Sequence, residues 1–385
     1  MADITPDINR YCELTDNNVK AQVEDWFGWK PFREMVLPRQ LEIHLGNPTG
    51  KPCNFHCEHC QGRNLDRGVA VYDDAALKLL PQLDGKIPLF VLSGAYVEPF
   101  LNPRLIEYIR AIKKQGSSFG LHSNASFLKQ REEESGFVTE MVALSGPEDY
   151  FTCAIDAATA PTFARLKKVG VGQFERAIEG LRLIADEKRK YKGQDKIKLR
   201  FTYLLNDDNS SLEELREMVR LAKGMDATSL RFSIPYAPHG TNMEGCADYR
   251  KQVEIPMQAR LWENVKKVMS REEVPGETLV FSMPPEAQNI ERLTFDHCFY
   301  GYFQITFGAD GYVYRCSAVA SPQFPHLRLG EVPDNLADFY DMIARNQVNF
   351  FNPQAQCFPH SGRCNRAGID INTEYERRYY GETTV

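Results

Sequence analysis

Three cysteines stand close together in Cys53-Asn-Phe-His-Cys57-Glu-His-Cys60. Thiolates spaced in this way on a short loop can converge on one metal centre, and sulfur ligands suit an iron-sulfur cluster or zinc. Three ligands leave a fourth position open. For zinc, His56 or His59 would fill it; for a cluster, it is a place where another molecule can bind. A second group, Cys298, Cys316, Cys357 and Cys364, lies in the last quarter of the chain. Four thiolates can fully ligate one cluster or one zinc ion. The remaining Cys12, Cys153 and Cys246 read as small buried hydrophobes, although Cys246 could also face a cavity as a hydrogen donor.

These 10 cysteines belong to a chain of 385 residues with 46 basic and 52 acidic side chains, a formal charge of -6. No charged and apolar leader precedes Tyr11, and no run approaches the ~18 apolar residues of a membrane span. A cytoplasmic location follows as the expectation, with thiols kept reduced. The acidic balance gives no footprint for nucleic acid or an anionic membrane, so neither is expected as a partner.

The residues between the cysteine groups must position them. Short β-rich runs alternate with amphipathic stretches, which predicts repeated βα units and a parallel sheet. The predicted strands are Gln40 to Leu45, Leu89 to Ser93, Phe119 to His122, Tyr150 to Ile155, Ile197 to Leu204 and Ser229 to Ile234. Helices are predicted at Asp74 to Gln82, Pro103 to Gln115, Glu132 to Leu144, Gln173 to Tyr191 and Ser211 to Lys223. After Pro235 the alternation breaks, leading to a helix at Gln258 to Ser270 and a strand-like Thr278 to Phe281. Aromatic alternation at Phe303 to Phe307 and Tyr312 to Tyr314, split by Gly308-Ala309-Asp310-Gly311, reads as a β-hairpin. The expected architecture is an α/β partial (β/α)6 TIM-like barrel with a small C-terminal domain containing that hairpin. Its divisions are an N-terminal extension at 1–38, the barrel at 39–240, a linker with a helix at 241–290, the auxiliary cluster domain at 291–372 and a tail at 373–385.

The first cysteine group, placed just after the first strand, resembles the radical S-adenosylmethionine (SAM) superfamily. The resemblance implies a 4Fe-4S cluster on Cys53, Cys57 and Cys60 whose open iron chelates SAM. An electron then cleaves SAM to a 5'-deoxyadenosyl radical, which abstracts hydrogen from substrate. It further implies roles in SAM binding. His59 stands where an aromatic residue packs on adenine. Gly94 and Glu98, in Ser93-Gly94-Ala95-Tyr96-Val97-Glu98, occupy the place of a glycine-rich motif that contacts the amino group. Ser123 and Asn124 stand where polar groups meet the ribose, and Asp156 ends an element like Ser-x-Asp. Arg165 is a candidate for the carboxylate. Arg200 and Arg231 lie on strands whose alternation can aim them into the barrel, where SAM, an acidic substrate or an internal carboxylate would offset their desolvation. The second cysteine group is similar to the SPASM and twitch extensions of this superfamily, and having four cysteines it matches the form with one auxiliary 4Fe-4S cluster.

The expected substrate is a small polar molecule: a sugar, aminocyclitol or nucleoside undergoing dehydrogenation, dehydration, epimerisation or decarboxylation. The spacing from Cys298 to Cys316 resembles the twitch-bearing aminocyclitol dehydrogenases of antibiotic biosynthesis. About 40 residues precede the first strand, fewer than a leader-peptide-binding domain takes. The catalytic residues stay unassigned, with Arg231, Cys246 and Tyr236 as the candidates, and a reducing donor such as flavodoxin or ferredoxin is the expected protein partner. A peptide- or protein-modifying maturase is the alternative.

Overall fold

The computed structural model describes residues 37–60, 70–94, 96–233, 255–271, 277–280 and 298–348, together with 235, 252, 351–352 and 357. In chain order the strands are β1 (Gln40–His44), β2 (Leu89–Ser93), β3 (Ser118–Ser123), β4 (Tyr150–Ala154), β5 (Lys198–Leu204), β6 (Ser229–Ser233), β7 (Glu277–Val280), β8 (Gln304–Phe307), β9 (Tyr312–Tyr314) and β10 (Arg328–Glu331). The helices are α1 (Ala75–Leu83), α2 (Leu105–Lys114), α3 (Leu128–Ser135), α4 (Phe137–Leu144), α5 (Ala160–Lys167), α6 (Gly172–Arg189), α7 (Leu212–Gly224), α8 (Ile255–Met269), α9 (Tyr300–Phe303) and α10 (Leu336–Val348).

The ten strands among the described residues form one sheet in the order β10-β9-β8-β1-β2-β3-β4-β5-β6-β7. β1 to β7 are mutually parallel, as their helical crossovers require. The six expected strands are there, and the strand-like run at Thr278 to Phe281 gives β7 at their far edge. At the other edge β8 pairs parallel to β1, while β9 and β10 fold back antiparallel. The sheet therefore runs without interruption from the barrel into the expected hairpin.

Side-chain alternation separates the two faces of this sheet. Leu41 and Ile43, Phe90 and Leu92, Phe119 and Leu121, Phe151 and Cys153, Leu199 and Phe201 are all nearly inaccessible and join the helices in one apolar core. Each fully buried Phe or Leu contributes about 1.5–3 kcal/mol, which commits this face to the helices. The register places the residues between them on the opposite, concave face, and these are polar: Glu42, His44, His122, Arg200 and Arg231. His122 and Arg231 are exposed although their strand neighbours are buried.

Two helical details matter later. The helix expected over Glu132 to Leu144 is two helices, because Gly136 adopts a left-handed conformation (φ 67) and its amide closes the end of α3 on Arg131 and Glu132. α5 was not expected; Pro161 opens it and left-handed Lys168 ends it.

Candidate active site

The first cysteine loop leaves the carboxyl end of β1, where parallel α/β folds collect their functional groups. Its approach is shaped by Asn47, whose side chain accepts from the amide and hydroxyl of Thr49 and donates to the Lys51 carbonyl at 2.7 Å. Phe55 is buried edge-on against Phe163 of α5 at 6.0 Å, and the Glu58 amide donates to the Leu166 carbonyl at 2.9 Å. α5 is thus the platform for the loop. A turn closed by the Cys60 amide on the Cys57 carbonyl sets those two cysteines side by side, with His59 half-buried between them.

The thiols lie near enough to act on one another electrostatically. Burial pushes the Cys53 thiol up to about 12, and the neighbouring Glu98, Cys57 and Cys60 act in the same direction against the Phe55 amide. Burial also raises Cys57; Lys167 opposes this, while Cys60 and Asp156 add to it.

Glu98 is buried beside them. Its carboxylate accepts from the Ser123 hydroxyl at 2.7 Å, the Asn124 amide at 2.9 Å and the Phe100 amide at 3.2 Å. Burial still pushes its carboxyl up to about 7 against these three bonds. Asn124 also donates to Asn54 at 2.9 Å, tying the loop after β3 to the cysteine loop. Gly94 is needed where it stands, since a Cβ there would lie 2.7 Å from the Val97 Cβ and 3.3 Å from the His44 ring. Of the expected SAM contacts, Glu98 therefore lies beside Cys53, Asn124 is tied to the cysteine loop and Ser123 is held on Glu98.

Asp156 takes a left-handed conformation (φ 52), accepts from the Leu204 amide at 2.7 Å and is ion-paired with buried Lys167. Lys167 is the cation beside Cys57. Arg165, two residues earlier on α5, points away and meets Asp208 at the surface at 3.4 Å.

The concave face carries a second polar group. Glu42 accepts from His44 at 2.9 Å, Ser93 at 2.7 Å and Gln304 at 2.8 Å. Burial raises its carboxyl, but His44, Ser93 and His122 outweigh that and leave it lowered. His44 Nδ1 is buried and has no hydrogen-bond partner among the described residues. Further round the barrel, the His122 and Tyr150 rings meet edge-on at 5.6 Å, and the Arg200 guanidinium lies 4.3 Å over Tyr150. His122 is open to the hollow of the barrel but crowded by protein around it. That crowding pushes its imidazole down to about 4, Glu42 opposing and Arg231 and Arg200 assisting.

Of the second cysteine group, Cys298, Cys316 and Cys357 are described. The Cys298 amide donates to Phe351 at 3.0 Å, and Cys316 directly precedes a short helical turn at Ser317–Val319. Burial pushes Cys316 up to about 12, and Cys298 adds to it; Cys357 is raised by burial and by both of the others. These three thiols are thus brought together. Arg315 stands beside them, its guanidinium 4.7 Å over Phe351. Cys364, Tyr236 and Cys246 lie outside the described residues.

Among the described residues, no three His, Cys, Asp or Glu side chains form a group that a single ion would occupy. By donor chemistry, the three thiols of Cys53, Cys57 and Cys60 suit an iron-sulfur cluster or zinc. Sequence reasoning passed over Lys167, Glu42 and Tyr150.

No family model matches the chain. A "Tungsten-containing aldehyde ferredoxin oxidoreductase cofactor-modifying protein" of Pyrococcus furiosus is 24% identical over 195 residues, 49% of this chain and 51% of that protein. The chain thus spans about half the length of the curated relative it matches. Streptococcus suis SuiB bound to S-adenosylmethionine aligns with a TM-score of 0.51 at 14% identity, over 80% of this chain and 66% of SuiB. SuiB bound to its precursor peptide SuiA aligns with a TM-score of 0.56 at 13% identity, over 87% and 71% of the two chains. At these identities the likeness to SuiB is one of fold. Among the described residues, no helix is long and apolar enough to cross a membrane.

Proposed function

We propose that this chain is a radical SAM enzyme in which Cys53, Cys57 and Cys60 hold a 4Fe-4S cluster and SAM binds at its open position. The observation that carries this reading is the gathering of three thiols, the buried carboxylate of Glu98 and the buried cation of Lys167 at the carboxyl end of a parallel sheet. When bound, the cluster and SAM supply the 5'-deoxyadenosyl radical that takes hydrogen from substrate. The chain binds and orients. Glu98 and the groups around it offer acceptors to an amino group, and Lys167 takes the carboxylate-binding role expected of Arg165. Cys298, Cys316, Cys357 and Cys364 hold an auxiliary cluster in a domain at 291–372, and a flavodoxin or ferredoxin supplies electrons.

The substrate in this reading is a small polar molecule, which suits the polar concave face. A peptide-modifying role is the second reading, and the fold likeness to SuiB in complex with SuiA favours it. Anaerobically reconstituted, reduced protein is expected to release 5'-deoxyadenosine from SAM. Cys53→Ala abolishes that release, and full activity in this variant refutes the assignment. Iron falls from about eight to about four per chain in Cys316→Ala, with uncoupled SAM cleavage retained at least in part.

A further inference from the structure

Arg200 and Arg231 are cations to which the described residues supply no ion-paired counter-charge. Among the described residues, no carboxylate lies within ion-pairing distance of either; the recorded partner of Arg200 is the face of Tyr150, 4.3 Å away. Their strands pair with Arg231 directly across from Thr202, so the register sets both guanidinium groups on the same concave face, two residues apart. The carboxylate that enters the electrostatics of this part of the barrel, Glu42, already accepts from His44, Ser93 and Gln304. His122, between Glu42 and the arginines, is open to the same hollow.

The arrangement is preorganised. Tyr150 leans over Gly120, where a Cβ would lie 2.1 Å from its ring, so the bare backbone of β3 makes room for the tyrosine that sets the plane of the Arg200 guanidinium. Two like charges held in a protein hollow are costly unless an anion joins them, and guanidinium groups with fixed planes suit oxyanions. The pair also sits below the thiol loop. Asp156, the partner of Lys167, touches the Leu204 amide at the end of β5, and Arg200 is four residues further down that strand, about 13 Å.

We propose that Arg200 and Arg231 bind an oxyanion of the substrate, a carboxylate or a phosphate, within the barrel. The inference rests on the radical SAM reading for its substrate and deepens it by naming a charge class.

The test is arginine-selective labelling of the reconstituted full-length protein with phenylglyoxal, mapped by peptide mass spectrometry, with inorganic phosphate or acetate as probe. Protection scales as 1 + [L]/Kd, so an anion at ten times its Kd slows labelling of Arg200 and Arg231 about tenfold. Exposed Arg220, paired with Glu217 on α7, keeps its rate. Protection by phosphate alone points to a phosphorylated substrate and protection by acetate alone to a carboxylic acid; either supports the site. In Arg200→Gln the protection of Arg231 is lost. Equal labelling with and without both anions overturns the proposal. So does full protection of both arginines by SAM alone, with no further effect of the anions, because that assigns them to the cofactor. Release of 5'-deoxyadenosine from the same preparation separates the two readings. Cleavage without anion protection sinks the anion site only, and protection without cleavage sustains it while sinking the radical SAM reading.

Discussion

The contact of Lys167 with Asp156 can be broken from either side, and the two perturbations have a calculable size. Both side chains are almost fully buried. Burial works against the ammonium, but the Asp156 charge, Cys57 and the hydrogen bond to Asp156 outweigh it and hold Lys167 above its ordinary range. A group raised in this way contributes fully below its unfolded pKa of about 10.4 and loses that contribution only at higher pH. Lys167→Met leaves a buried, uncompensated carboxylate, which costs about 3–5 kcal/mol. An unfolding entropy of about 2.1 cal/mol/K per residue gives about 0.8 kcal/mol/K for a chain of this length, so melting falls by about 4–6 °C. Adding Asp156→Asn removes the charge while keeping the acceptor for Leu204, and the double variant recovers most of the loss. Anaerobic scanning fluorimetry on samples matched for iron reads the effect. Losses that add within about 0.5 kcal/mol in the double variant refute a coupled buried pair.

Three further outcomes follow from the same packing. Phe163→Ala removes the ring that supports Phe55 and Phe174. It costs about 3–5 kcal/mol and loosens the first cysteine loop, so iron analysis finds less of the first cluster; unchanged iron content counts against α5 as the platform. Gly120→Ala forces the Tyr150 ring aside at a cost of about 1–3 kcal/mol, and Arg200, freed from its stack, labels faster with phenylglyoxal; an unchanged rate refutes the stacking role. His122, with its pKa pushed down to about 4, stays neutral across an assay from about pH 6 to 8, so His122→Gln leaves the shape of the SAM-cleavage pH profile as it is; loss of a limb near about 6.5 contradicts this.

Much of the fold was legible because its period is local. The strands β1 to β6 announce themselves as apolar runs between amphipathic stretches, and the cysteine loop sits where one of them ends. The site was less legible because its partners are set by register and helix phase. Arg165 and Lys167 are two residues apart, about 200° on a helix, and only the phase of α5 separates the outward one from the inward one. Pro161 held that signal: a helix starting there buries Phe163 and Leu166 and brings Lys167 onto their face. Strand alternation aimed Arg200 into the barrel, but no comparable signal existed for Glu42 and Tyr150, which meet the rest of their group across strands distant in sequence. Gly136 was likewise readable only once its left-handed φ divided α3 from α4.

The position of β1 explains how two distant groups of cysteines become neighbours. It pairs with β2 on one side and with β8 on the other, and its carboxyl end launches the first cysteine loop. β8 turns at Gly308 into β9, and Cys316 follows β9 by two residues. β9 runs back antiparallel to β8, so Cys316 returns towards the start of β8, level with Gln304, on the strand that pairs with β1. Glu42 of β1 fastens the junction, accepting from Ser93 on β2 with one oxygen and from Gln304 on β8 with the other. Tyr96, Val97, Tyr314 and Phe324 form a second apolar cluster, and Cys60 packs against it together with Cys298, Cys316 and Cys357. A buried carboxylate between two strands thus costs desolvation yet fixes the register on which the relation of both thiol groups depends, a use of buried polarity for specificity rather than for stability.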